Sequence, residues 1–583
     1  MREAAQAAQA AQAAANGDLA DEPLPPPLPP QRRYSYHMPL HRLLAALLSH
    51  GAVSMGLSIE ELLPPPLDGA DFLGSLLAAP LQLQQLLSQT RAGLWVRNGY
   101  AAAKPAVLYR SPVFGEVFCM PDLMLMQLGL LRLGTRGFVS IAISQLELEP
   151  FWANLAEHVT GGSAGSAGSA SSAPGTSTAE PVEASGAAGV SLAEDLLALL
   201  VQLLCERALI GEAPAETVRR QLIHRLALVE SSTHSELSSA LPRRLVEHAS
   251  FPETLKGVAE YLEPSGMRQG RYTLRREGWR GFDPFFSLYS VQEAQRANER
   301  SGRFAAEVGA APPTPARPCA VFERLGGSAR STTLHALVYL VLAGAVRRSK
   351  RVSERLLASA LRLLQLSIGA RLELAEAAAE VEAGASAAAR AEAPLPRAFG
   401  IQMPSDAAEI SEDALLPPTA LGNAFDSAGG VAAGLGGVEG AEEGGARARP
   451  ELPTMITLLA TLRDMEHFGA QRVAVEESLR RLARLSAPCR TRIESLIPEL
   501  RTAEGGEEGS SNQKRAEMLR RKKAAKERQV HATSHTPFVT AHFLLFPPLS
   551  LGALHHVCSR SSHFPVCPCI VPSLFASNSR RPY

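Results

Sequence analysis

Two stretches of this chain cannot contribute a core, and they decide how the rest folds. From Thr160 to Ser191 the sequence is dominated by Gly, Ser and Ala with no apolar period, and from about Glu373 to Arg449 it is Ala/Glu-rich and then Gly-rich. Neither can bury enough apolar surface to offset the entropy of ordering it. Folded units must come from the blocks between and around them. Those blocks carry Leu, Ala and Val at helical spacing, and aromatics make up only 5% of the 583 residues. A core built from Leu, Ala and Val on helices is the expected outcome, so the fold class is mainly α.

Read from end to end, the chain divides as follows. Residues 1–31 are an Ala/Gln- and Pro-rich leader, expected to be disordered. Residues 32–158 form a helical scaffold block. There Leu40, Leu44 and Leu47 recur at i, i+4, i+7 after Pro39. Leu81, Leu83, Leu86 and Leu87 mark a second helix, and Leu123 to Leu133 a third. Residues 159–191 are a Gly/Ser linker. Residues 192–283 read as an embedded winged-helix domain: helices at Leu192–Leu209, Glu216–Ala227, Thr233–Leu241 and Pro252–Leu262, then a strand and wing at Arg271–Leu274. Thr233 with Glu236 three residues on is a capping box. Residues 284–372 are a second scaffold block, with helices at Phe285–Arg300, Leu334–Leu342 and Leu356–Leu366, the last capped by Ser353. After the low-complexity linker at 373–450, residues 451–500 form a helical hairpin. Its first helix carries Leu452, Met455, Ile456, Leu459 and Leu462, and its second Leu479, Leu482 and Leu485, with Arg480, Arg481 and Arg484 outward. An acidic Gly linker (501–512), a basic helix (513–530) and a disordered tail of atypical composition (531–583) complete the chain.

Lys+Arg and Asp+Glu are equal at 58 each, so net charge implies no bulk polyanion partner. The apolar run Leu334–Val346 is shorter than the about 20 residues a bilayer helix needs, and the N-terminus lacks a signal-peptide layout. No membrane partner is expected. Cys119, Cys205, Cys319 and Cys489 are isolated, as reduced thiols are. Cys558, Cys567 and Cys569 lie near His555 and His556 but form no C-x-x-C pair, so no metal site is nominated. Gly161-Gly162-Ser163-Ala164-Gly165 matches a nucleophile elbow in letters only, because no strand precedes it. His224 and His234 have no acidic or Cys partner at ligand spacing and are assigned packing or capping roles. Trp95 is read as a core anchor whose neighbours Arg91 and Arg97 reach outward. The helix that would enter a DNA groove carries Glu253 and Glu260 against one Lys256, so nucleic acid is not an expected partner. No catalytic or cofactor-binding residue is nominated.

The most polarised segment is QKRAEMLRRKKAAKER, residues 513–528. Lys514, Arg515, Arg520, Arg521, Lys522, Lys523, Lys526 and Arg528 face two acids, Glu517 and Glu527, and Asn512 can cap the helix. Its apolar content is too small for a core. It is either a solvated or nuclear-localisation-like cationic run or a helix that gains order on an acidic partner surface.

Several blocks carry a resemblance: YHMPLHRLLA (Tyr36–Ala45), RAGLWVRNGY (Arg91–Tyr100), Leu222-Ile223-His224, Thr233-His234-Ser235-Glu236-Leu237, Gly270-Arg271-Tyr272-Thr273-Leu274 and FFSLYSVQEAQRANER (Phe285–Arg300). Together they resemble the central region of the UBR-type E3 ubiquitin ligases, the N-recognins of the N-degron pathway, over roughly Arg32–Arg528. The resemblance implies partners: an E2 ubiquitin-conjugating enzyme, ubiquitin, and proteins with destabilising N-termini destined for the proteasome. It implies a cytoplasmic location, with the nucleus as a second one. In the family a basic helix at this position contacts the E2, which would make the eight cations above E2-binding residues. The family's zinc lies in its UBR box and RING, and no paired Cys/His spacing of that kind occurs in this sequence. A RING-type ligase positions the E2–ubiquitin bond for attack, so this chain is expected to supply scaffold and E2 contact without independent transfer activity. The rival expectation is a non-enzymatic helical and winged-helix adaptor derived from such a ligase.

Overall fold

Among the described residues, Leu- and Ala-rich runs become packed helices. The computed structural model describes residues 36, 38–63, 72–95, 99–160, 182–265, 269–308, 312–384 and 453–500. The leader, the acidic linker, the basic helix at 513–530 and the tail at 531–583 lie outside the described residues.

The first block holds α1 (Pro39–Val53), α2 (Ile59–Leu62), α3 (Phe72–Arg91), α4 (Gly99–Tyr109), α5 (Pro112–Gly115), α6 (Cys119–Gln145) and α7 (Glu149–Thr160). Helix α6 is its centre, and α1 and α3 pack along it. Gly129 lets α3 cross closely: a Cβ there would force the Leu77 side chain to move. Gly134 turns the helix with φ 69° and ψ 167°, a conformation open to glycine and strained for other residues. The two N-terminal fingerprints turn out to be inter-helix pins. Arg42 pairs with the buried Asp122 of α6, which also accepts from the Tyr109 hydroxyl at 2.8 Å. Arg91 does not reach outward: its Nε and Nη1 hold Asp195 at 2.8 Å and Glu194 at 3.0 Å. Trp95 is partly buried against the core, with Nε1 donating to Gln89 Oε1 at 3.2 Å. Arg97 lies outside the described residues.

The second block starts earlier than its sequence suggests. Helix α8 spans Val182–Cys205, so ten residues expected in the linker are helical. Ala-rich sequence costs little to extend backward once Leu192–Leu204 is buried. Helix α8 packs on α3, α6 and α7 and therefore belongs to the scaffold, not to the winged helix. The winged-helix elements follow as α9 (Pro214–Leu228), α10 (His234–Ala240), α11 (Arg243–Val246), α12 (Phe251–Val258), β1 (Ala259–Leu262) and β2 (Arg271–Leu274). The strands pair antiparallel, with Ala259 opposite Leu274 and Leu262 opposite Arg271. The helix expected to run to Leu262 thus ends at Val258: Gly257 weakens it, and Tyr261 and Leu262 gain a strand partner instead.

Helix α13 is Val291–Val308. It does not begin at Phe285, because Asp283 accepts from the Phe285 N–H at 2.9 Å and holds a turn, while Ser290 and Glu293 form the reciprocal bonds of a capping box. Then come α14 (Leu325–Ala329), α15 (Thr332–Val346) and α16 (Glu354–Gly384), the last capped by Ser353 as expected. Helix α16 packs against α8 and α15. In place of a hairpin, 453–500 gives three helices, α17 (Met455–Asp464), α18 (Arg472–Leu485) and α19 (Ala487–Leu496), and α18 packs on α16. Arg480 and Arg481 pair with Glu476 and Glu477 along α18. Two segments, Gly186–Cys205 and Ala320–Val346, match a membrane span in length and apolar content, contrary to the shorter run read from sequence; they are 67% and 83% buried within the helical frame. One expected stripe is only partly buried: Leu44 packs against the core, but Leu40 and Leu47 do not. Helix α1 buries Ala45, Leu48, Gly51 and Ala52, which let it lie close to its neighbours, and leaves Leu40 and Leu47 exposed.

Candidate functional site at the seat of the winged helix

The winged helix is built on α9. Pro214 at its first turn presets the backbone, and Val218, Leu222, Ile223 and Leu226 bury one face. Thr233 and Glu236 close the capping box of α10 as the sequence indicates. His234 turns its ring edge to Phe251, with centroids 6.1 Å apart. His224 is fully enclosed: its ring stacks on Phe286 at 4.1 Å, and Nδ1 lies 3.0 Å from the Tyr289 hydroxyl. Burial, reinforced by Arg220 and Arg225, holds its pKa well below the ordinary histidine value, so the ring is neutral and acts as a packing plate.

Polar chemistry concentrates where this unit meets the scaffold. Glu206, just past α8, is the hub. Its carboxylate accepts from Arg220 at 2.7 and 3.1 Å, from Ser287, and from the backbone N–H groups of Arg207 and Ala208 at 2.9 Å. Burial alone would raise its pKa; these donors outweigh burial and bring it to about 2. Arg220 also holds Glu212, and its guanidinium lies over the Phe286 ring at 5.3 Å. From the scaffold side, Arg362 of α16 reaches Asp283 at 2.6 Å and the Pro313 carbonyl at 2.8 Å. Arg225 reaches Glu293 of α13 at 2.5 Å. Beside the Arg220–Glu206 and Arg362–Asp283 pairs lies a cavity of about 330 Å³, walled by Phe285, Phe286, Pro313 and Pro315 and rimmed by charged groups.

Sequence reading missed Arg207, Arg220, Arg362, Glu206 and Asp283. No local signal marks them, since their partners sit on different elements; Arg362 and Asp283 are 79 residues apart. The eight cations nominated for E2 binding, Lys514, Arg515, Arg520, Arg521, Lys522, Lys523, Lys526 and Arg528, lie outside the described residues. Among the described residues no group of three His, Cys, Asp or Glu side chains could hold a metal ion, and Cys119, Cys205, Cys319 and Cys489 are free thiols.

Residues 217–313 match the winged-helix domain of E3 ubiquitin-protein ligase UBR1-like proteins. That span starts within α9 and ends beyond α13, later at both ends than the 192–283 expected from sequence. The chain is 29% identical over 362 residues to E3 ubiquitin-protein ligase PRT6 of Arabidopsis thaliana, covering 57% of this chain and 16% of that protein. It is 27% identical over 365 residues to E3 ubiquitin-protein ligase ubr3 of Danio rerio (58% and 18%) and 26% identical over 356 residues to E3 ubiquitin-protein ligase UBR2 of Homo sapiens (58% and 19%). The match thus spans less than a fifth of each of these relatives. Through its winged helix and the helices around it, the chain is similar to part of the UBR-type E3 ubiquitin-protein ligases.

Proposed function

We propose that this chain acts as the rigid spacer of a UBR-type ligase. The observation that carries the reading is the UBR1-like winged-helix match at 217–313, combined with the buried ion pairs that fasten that unit to the scaffold. A spacer earns its effect by fixing geometry: ubiquitin transfer is accelerated when the charged E2 and the substrate lysine are held at a constant separation. In this reading the cations of 513–530 dock on the acidic surface of an E2, ubiquitin arrives on that E2, and substrates with destabilising N-termini are engaged by other parts of the ligase in the cytoplasm or nucleus. Zinc belongs to those other parts and has no role in the chemistry of this chain's own residues. The winged helix serves as a protein-docking module, since α12 offers Glu253 against Lys256 where a DNA reader needs several cations.

The test is a titration of the whole chain with an E2 at low and moderate salt. Binding is expected to weaken steeply with salt and to fall at least about tenfold when Arg520, Arg521, Lys522 and Lys523 are all changed to Glu. Binding that ignores both salt and these four substitutions would remove the E2-docking reading.

A further inference from the structure

The cavity between α8, α9, α16 and the Phe285–Ser287 turn has an unbalanced lining. Its acids are Glu206, Glu212, Glu216 and Asp283, and each already has an arginine. Arg220 holds Glu206 and Glu212, Arg362 holds Asp283, and Arg219 holds Glu216 at 2.9 Å at the mouth. Two further arginines line the same space, Arg207 and Arg280, and neither has a carboxylate within ion-pair distance among the described residues. Arg280 is exposed at the rim. Arg207 is only 7% exposed. Backbone carbonyls orient its guanidinium: Nε donates to Ala316 O at 2.7 Å and Nη1 to Glu206 O at 2.9 Å, with no acceptor for Nη2 among the described residues. A buried guanidinium with no carboxylate in direct contact is costly, and such groups normally have a partner. Burial lowers the pKa of Arg207 even though the nearby Glu206 and Glu212 act to raise it, whereas direct ion pairing raises those of Arg220 and Arg362 despite their burial. A second polar atom is left over nearby: Nε of Arg362, itself 2% exposed, has no hydrogen-bond partner.

We propose that this cavity binds a small organic anion, with a phosphate or carboxylate headgroup on Arg207 and Arg280 and a short apolar body between Phe285, Phe286 and the Pro313–Pro315 wall. The guanidinium fork suits either headgroup, and the cavity has room for the headgroup and a ring or short chain. Bound there, the anion would touch α8, the turn after the wing and the proline segment at once, tightening the winged helix onto the scaffold. This inference is independent of E2 docking, which involves a different part of the chain.

Calorimetric titration of the whole chain with phenyl phosphate, benzoate and neutral benzamide, in an anion-poor buffer, tests it. One-to-one saturable binding of at least one anion, and none of benzamide, is expected. Arg280→Ala, on an exposed side chain that leaves folding intact, should weaken that binding at least fivefold, and Arg207→Met should abolish it. A circular-dichroism melt identifies any Arg207→Met sample that has not folded, in which case Arg280→Ala alone decides. Preference for phenyl phosphate over benzoate names a phosphoryl ligand, and the reverse names a carboxylate. No saturable binding of either anion up to about 10 mM, or equal binding by wild type and Arg280→Ala, overturns the proposal.

Discussion

At the scale of single residues, the attachment of the winged helix rests on buried ion pairs such as Arg220–Glu206 and Arg362–Asp283. Arg362→Ala would leave Asp283 uncompensated at the seat, and a loss of about 3–5 kcal/mol is expected in denaturant unfolding. His335 gives a pH prediction. It is buried, its Nε2 lies 2.6 Å from the Ser367 hydroxyl, and burial aided by Arg371 lowers its pKa from 6.5 to about 3. A lowered folded pKa means the unfolded chain takes up the proton first. Its stabilising contribution is therefore complete above 6.5 and is lost as pH falls towards about 3, at up to about 1.4 kcal/mol per pH unit. His224 shifts in the same direction. Urea midpoints measured between pH 7 and 4 should fall, and His335→Gln should flatten the slope; an unchanged slope would show that the ring is not held neutral. Legibility at this scale followed sequence distance. The Thr233–Glu236 and Ser353 caps act over three residues and were readable. Arg42 and Arg91 stood out as parts of fingerprints, but their partners, 80 and 103 residues away, were not visible. Arg91 was accordingly expected in solvent and is found in an ion pair.

At the scale of elements, helix identity was readable and helix limits were less so. Leu and Ala periodicity located α3, α6, α9 and α16, yet the start of α13 was misplaced although its signal was present: Ser290 and Glu293 have the S-x-x-E spacing. Ser290→Ala should cost about 1 kcal/mol by removing that cap, measurable as a lower unfolding midpoint. The shifted face of α1 has a different cause. Leucine periodicity marks an apolar stripe, but close helix approach selects Ala and Gly, so Ala45 and Gly51 face inward in place of Leu40 and Leu47. Glycine plays the same part in α6. Gly134→Ala forces a side chain onto a backbone with φ 69° and should destabilise by about 1–3 kcal/mol; a neutral result would mean the kink is not required.

At the scale of the whole molecule, the described helices form one continuous hydrophobic core, from Ala45 in α1 to Ile497 after α19. The winged helix contributes to that core and is also fastened by Arg220–Glu206 and Arg362–Asp283. Its presence was readable because its elements are local and ordered in sequence; its seat was not, because Glu206, Asp283 and Arg362 lie on three separate elements. A spacer with this construction should unfold as one body. A double-mutant cycle on Arg362 and Asp283, read by urea unfolding of the whole chain with one probe in the winged helix (Trp279) and one in the scaffold (Trp152), tests that directly. The account predicts coincident transitions for both probes and a coupling of at least about 2 kcal/mol between the two positions. Separate transitions for Trp279 and Trp152 together with additive substitutions would contradict it.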